Sequence, residues 1–399
     1  MQDNSPETVS NVRAVADVPP LPPVIHAVAA PEPHPFRFTG TAGEFFGIWI
    51  VNLFLTIITV GIYSAWAKVR KKRYFYGHTW VADANFEYHG NPVAILKGRL
   101  IALAVFAVYS GFAHFMPQVA MVLALLLFAA APWFIVRSMA FNAFNSSYRN
   151  IRFRFHATYL DVLKAIAPMG VVLVISLFMP EIDPSQKSEP PVMFFVIFVL
   201  QMLAFFLLYP YVFGSLKKLH VNHSQFGSSE FSTSATIGDF YKIFFMTIGL
   251  LIVVVIAASL VGSVMAAALS IFGKAAVGIG FFLGIMFFYF VVFPLLIGFS
   301  QSRTANLVFN KTRIDDAISF SSTLKARKLA VLYLTNLLAI VFSMGLAIPW
   351  AAIRAARYRL ECLTLHSSVP MEKFVAGVAV KVSATGEELG EFFNIDLSL

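Results

Sequence analysis

Eight apolar segments constrain this chain more than any other feature: 45–67, 95–116, 118–136, 164–180, 191–213, 243–272, 277–300 and 329–353. An apolar helix of about 20 residues matches the hydrocarbon thickness of a bilayer. Charged residues make up 13% of the chain, against the roughly 25% with which a soluble domain covers its surface. A water-soluble globule is therefore excluded, and the expected fold class is an all-α polytopic membrane protein. The segments flanking Pro117, 181–190 and Lys274 are close enough in sequence to form helical hairpins.

A short extended motif stands before each apolar block. The copies are Phe36-Arg37-Phe38-Thr39-Gly40, Phe86-Glu87-Tyr88-His89-Gly90, Phe153-Arg154-Phe155-His156-Ala157, Phe231-Ser232-Thr233-Ser234-Ala235 and Ile318-Ser319-Phe320-Ser321-Ser322, with a weaker sixth at Val380–Ala384. Alternation with period two marks a strand. A second motif closes each block: Ala65-Trp66, Pro132-Trp133, Pro210-Tyr211, Pro294-Leu295 and Pro349-Trp350. Trp66, Trp133, Tyr211 and Trp350 are read as anchors at the membrane surface, where an aromatic ring is buried and its polar end stays wet. The repeated unit is strand, apolar block, Pro-Trp helix, loop, with units near 36–85, 86–152, 153–230, 231–317 and 318–379. A shift of 284 residues places Asn52, Leu53, Gly61, Trp66, Arg70, Arg73 and Tyr74 on Asn336, Leu337, Gly345, Trp350, Arg354, Arg357 and Tyr358 without a gap, the mark of an internal duplication. Short strands delivered to one membrane face are expected to pair with one another, because an isolated pair is marginal in water.

Of 30 Lys and Arg residues, 21 fall in the loops at 68–99, 137–164, 214–242 and 301–328, while the alternate turns hold only Lys187 and Lys274. The positive-inside rule assigns the basic loops to the cytoplasm. The net charge of +9 is thus a topology signal, and no soluble basic domain is present to bind nucleic acid. The first and last blocks pose a puzzle, since both end in basic clusters, Lys68–Arg73 and Arg354–Arg359. Two arrangements stand: eight spans with an inverted pair, or six full spans plus two re-entrant helices.

Residues 1–35, rich in Pro and Ala and without the basic start and apolar core of a signal peptide, are expected to be a disordered tail. Residues 380–399 are expected to hold a short C-terminal strand and tail. The single cysteine, Cys362, excludes an intrachain disulfide.

The runs Gly43-Glu44-Phe45-Phe46-Gly47-Ile48-Trp49-Ile50-Val51-Asn52, Gly61-Ile62-Tyr63-Ser64-Ala65-Trp66-Ala67-Lys68-Val69-Arg70, Tyr74-Phe75-Tyr76-Gly77 and Phe86-Glu87-Tyr88-His89-Gly90-Asn91-Pro92 closely resemble the YjgN-like family of bacterial inner-membrane proteins. The resemblance covers about residues 36–390. It implies an inner-membrane address and a multi-pass architecture, and it brings no catalytic or binding residues with it.

No Walker loop, HExxH, Gly-x-Ser-x-Gly or CxxC motif occurs, so no catalytic set, metal or cofactor is expected. His220 and His223 have metal-ligand spacing but no acidic or Cys partner nearby. Inside the apolar blocks, Asn52 and Asn336 are the chief polar residues, and an amide in hydrocarbon must find a partner. Their 284-residue register suggests that the two meet near the centre of the fold. Two functions follow from different classes. One is a channel or transporter for a neutral or amphipathic solute. The other is a non-transporting scaffold or lipid-organising protein, with membrane lipids, a further copy of the chain or an envelope protein as partner.

Overall fold

The computed structural model describes residues 31–176, 178–179 and 192–385. Residues 1–30 of the expected tail and residues 386–399 lie outside the described residues.

Strands and helical hairpins alternate along the chain. β1 (Glu32–Pro35) and β2 (Arg37–Phe38) lead into α1 (Ala42–Ile58) and α2 (Ser64–Gly77). β3 (Thr79–Val81) and β4 (Ala84–Tyr88) precede α3 (Pro92–Phe115) and α4 (Pro117–Phe144). β5 (Ser146–Tyr148) and β6 (Ile151–Phe155) precede α5 (Tyr159–Ser176) and α6 (Val192–Asn222). β7 (Ser224–Phe226) and β8 (Ser229–Thr233) precede α7 (Ile237–Ser270) and α8 (Lys274–Phe287), the latter running through a π-helical turn, Phe288–Val292, into α9 (Phe293–Asn310). β9 (Thr312–Ile314) and β10 (Ile318–Ser322) precede α10 (Ala326–Phe342) and α11 (Ile348–Glu361), and the chain ends in β11 (Leu363–Ser367) and α12 (Met371–Thr385).

The strands form one antiparallel sheet in the order β1-β11-β10-β9-β8-β7-β6-β5-β4-β3-β2. The fold is therefore not all-α: eleven strands form the sheet, because β4, β6, β8 and β10 are each the second arm of a hairpin whose first arm has only three residues, too few to show alternation. The turns explain the pairing. Ala82-Asp83 and Arg149-Asn150 have φ of 44°, 59°, 48° and 63°, the geometry of two-residue turns that match strand twist. β1 and β2 sit at opposite ends of the sheet order yet are separated by Phe36 alone. One extended segment thus pairs with β11 on one side and β3 on the other, and the sheet closes on itself. This corrects the tail expectation at 32–35, which is strand. The expected strand at Val380–Ala384 is helical and lies in α12.

The bore of the closed sheet is packed. Phe36, Phe86, Phe153 and Phe231, from the first four motif copies, stack in succession at centroid distances of 6.3, 6.4 and 6.4 Å, and Phe320 of the fifth packs against the same cluster. The C-terminal helix α12 fills the remaining space with Met371, Phe374, Val375 and Val378, Phe374 stacking on Phe226 at 6.4 Å. Interiors of small barrels are filled this way.

Every helical hairpin leaves one strand and returns to the strand paired with it, so the sheet lies to one side of all five hairpins. Among the described residues six helices are long and apolar enough to cross a membrane: Pro92–Phe115, Gln118–Phe144, Tyr159–Ser176, Val192–Asn222, Ile237–Ser270 and Val277–Asn310. The count is six, not eight. The blocks 45–67 and 329–353 each break into two helices, α1–α2 and α10–α11, at a turn. Val60 and Met344 take φ of 49° and 51°, and Gly61 and Gly345 take 90° and 94°. Gly61 N–H donates to Thr56 O at 2.8 Å and Gly345 N–H to Ile340 O at 2.7 Å, a helix C-terminal wrap that sends the chain back. The tips are apolar and bare, Val60 being 92% and Met344 96% exposed. Neighbouring hairpins touch through α2 and α3, α4 and α5, α6 and α7, and α9 and α10, and the ring closes where α11 packs on α1.

Candidate functional site

In three hairpins the third residue of the first helix lies near the residue that follows the second helix. These two residues are a carboxylate and a base. Glu44 lies 3.9 Å from His78, Asp161 3.6 Å from His223, and Asp239 2.8 Å from Lys311. Thr41, Thr158 and Thr236 accept the backbone N–H of those carboxylate residues, the N-cap arrangement that favours an acid in the first helical turn. The second hairpin is capped by Asn91 instead, whose side chain accepts Val93 N–H at 2.9 Å.

The α10–α11 hairpin departs from this pattern. The 284-residue register sets Lys325-Ala326-Arg327-Lys328 on Thr41-Ala42-Gly43-Glu44. Lys325 stands at the N-cap position without a side-chain capping bond, and no acid lies in the first turn. A cavity of about 910 Å³ lies at the seam where α11 meets α1. Five cations line it: Lys325, Arg327, Lys328, Arg354 and Arg357. Glu361 is the one carboxylate in the lining, and among the described residues none of the five cations has an ion pair. Val331, Leu332, Trp350 and Ile353 form the apolar wall, with Val331 49% and Trp350 42% exposed.

Neighbours hold the arginines in place. Arg357 Nη2 donates to Gly40 O at 3.0 Å, tying α11 to the segment before α1. Arg354 Nη1 donates to Thr335 Oγ1 at 2.6 Å and Asn336 Oδ1 at 3.3 Å, and its guanidinium lies 5.1 Å from the Trp350 ring centre. Tyr358 Oη accepts the backbone N–H of Lys325 at 3.1 Å, as Tyr74 Oη accepts that of Thr41 at 2.8 Å.

Asn52 and Asn336 occupy equivalent, buried positions in α1 and α10. They do not bond each other. Asn52 Oδ1 accepts from Arg70 at 3.4 Å, and Asn336 bonds Arg354 and donates to Ala351 O at 3.2 Å. Each amide oxygen accepts from an arginine of the second helix of its own hairpin. Of the aromatic anchors, Trp350 alone lines the cavity. Trp66 stacks on Tyr63 at 6.1 Å, Trp133 is 52% exposed with Arg137 5.9 Å from its ring centre, and Tyr211 is half-buried. The preceding Pro132, Pro210 and Pro349 are fully buried. In the sequence, Lys325, Arg327 and Lys328 stand only as loop charge, and Arg357 only as the register partner of Arg73 in the cluster Arg354–Arg359. The signal that would have found them is the replacement of Thr41 and Glu44 by lysines in the register already in hand. No group of three or more His, Cys, Asp or Glu residues that could hold a metal occurs among the described residues.

The chain matches the family described as bacterial protein of unknown function (DUF898) over residues 33–392. It belongs to the DUF898 family. Relatives of this DUF898 chain include the inner membrane protein YjgN of Salmonella typhimurium strain LT2, 25% identical over 343 residues, covering 80% of this chain and 85% of that one. The inner membrane protein YjgN of Escherichia coli strain K12 is 34% identical over 168 residues, 38% of this chain and 40% of that one. No solved structure matches the chain. With its six apolar helices, this DUF898 member is a multi-pass protein of the bacterial inner membrane.

Proposed function

We propose that this protein takes an amphipathic molecule from the bilayer into the seam cavity and carries or presents it, rather than conducting a hydrophilic solute. One observation supports the reading above others: five cations stand over a wall of Val331, Leu332 and Trp350 in a single cavity. A fully hydrophilic solute has no use for that wall, and a fully apolar one has no use for the cations. The packed bore argues in the same direction, since a water path along the axis of the sheet would meet stacked Phe side chains and α12. The 21 basic residues of the loops beside the sheet support a cytoplasmic placement for it.

The test is a photo-crosslinkable amphiphile added to the protein in lipid nanodiscs, with crosslinks mapped by peptide mass. Adducts on α10 and α11 are expected; adducts spread evenly over the lipid-facing spans refute the reading. A second reading, a non-transporting scaffold, is favoured by the bare spans: α3 buries none of its residues and α7 only Phe240. Amphiphile movement between leaflets of proteoliposomes distinguishes a carrier from a scaffold.

A further inference from the structure

We infer that the seam cavity is a headgroup site for an anionic phospholipid, with Lys325, Arg327, Lys328 and Arg357 meeting the phosphate and the acyl chain running along Val331 and Trp350. The inference rests on the amphiphile reading of the same cavity and adds the charge and chemistry of the ligand.

Two independent observations carry it. The first is charge left unmatched: four of the lining cations stand at the mouth of one cavity with no carboxylate bonded to any of them. Like charges gathered without a counter-ion repel one another, and an anion removes that repulsion. The second is the departure from the chain's own repeat. α1, α5 and α7 each carry an acid in the first turn under a Thr cap, whereas α10 carries Arg327 and Lys328 there under Lys325. A cation at a helix N-terminus opposes the helix dipole, and an uncapped N-terminus leaves N–H groups unpaired. The helix forgoes a favourable cap where it lines the seam cavity, and an anion bound there supplies what the cap would have.

The source of that anion follows from the wall. Inorganic phosphate and a soluble phosphate ester use only the cations, while the exposed Val331 and Trp350 extend the site toward the apolar tip at Phe342 and Met344, which are 84% and 96% exposed. Trp350 stands beneath Arg354, an aromatic ring at headgroup level under a cation. A phospholipid uses both parts.

The test compares the full-length protein with the double variant Lys325→Thr and Lys328→Glu, which installs the residues α1 has in the same register. The variant gains a capping pair, so its thermal unfolding midpoint is expected to hold or rise. Retention of phosphatidylglycerol and of phosphatidylcholine is measured by native mass spectrometry, with inorganic phosphate as competitor. Each cation meeting an anionic headgroup is worth about fivefold in affinity. The wild type is expected to hold phosphatidylglycerol at least about tenfold more tightly than phosphatidylcholine, and the variant to lose that preference. Equal retention of both lipids by the wild type overturns the inference and leaves the amphiphile reading standing. Retention of neither overturns both. Displacement of the lipid by millimolar inorganic phosphate overturns the lipid as the source, and an undiminished preference in the folded variant overturns the assigned residues.

Discussion

Asn336 should contribute more to its hairpin than Asn52, although the two share a register. Asn336 accepts from Arg354 at 3.3 Å and donates to Ala351 O at 3.2 Å, while Asn52 has the single 3.4 Å bond from Arg70. Arg70 is exposed, so loss of Asn52 leaves it able to turn to water, whereas Arg354 is half-buried. A bond to a charged group is worth about 1.5–3 kcal/mol and a neutral one about 0.5–1.5. Asn336→Leu is therefore expected to destabilise by about 2–4 kcal/mol, and Asn52→Leu by about 1–2. Unfolding in mixed micelles, titrated with denaturing detergent, measures both. A double-mutant cycle of Asn336→Leu with Arg354→Met should give a coupling of about 1 kcal/mol or more. Equal losses at the two asparagines, or a coupling near zero, would refute the clasp and with it the assignment of both amides to structure.

Other outcomes follow from the packing. A Cβ on Gly298 would meet the Ala330 backbone N and Cα at 2.6 and 2.7 Å; Gly298→Ala should destabilise by about 1–3 kcal/mol, whereas Gly249→Ala, with nothing within 4 Å, should hold or gain stability in the same assay. Truncation after Pro370 removes the buried Met371 and Val378 from the bore, each worth about 1.5–3 kcal/mol; limited proteolysis should then cut the strands before the spans, and intact strands would refute the plug. In a Cys362→Ala background, single cysteines at Glu87, Arg152, Ser228 and Asp316, all exposed on the sheet, should resist an impermeant maleimide added outside cells, and labelling there would overturn the orientation.

Much of this architecture is legible in the sequence. Segment length and charge scarcity dictate a membrane protein, because backbone groups in lipid must be satisfied within a helix. The 284-residue register is borne out by geometry, since α1 (Ala42–Ile58) and α10 (Ala326–Phe342) begin and end at matching positions. The motif strands do enter one sheet, but they do not pair with one another: β4, β6, β8 and β10 alternate with the short arms β3, β5, β7 and β9. Hydropathy alone could not separate a span from a helix that turns back, because α1 and its turn are as apolar as a true crossing. The left-handed turns at Val60 and Met344 decide that question, and a backbone dihedral at a non-Gly residue leaves little trace in composition. Sheet closure was equally hidden: β1 and β11 are 335 residues apart at their first pair, Glu32 and Ser367 lying opposite only because the intervening hairpins complete a ring. The cavity belongs to the same class of fact. Sequence supplies Lys325 and Lys328 as loop charge and Arg354 and Arg357 as a basic cluster closing the last block, and only the packing of α11 on α1 gathers them around one space, since long-range contact is set by the whole ring and not by any local spacing.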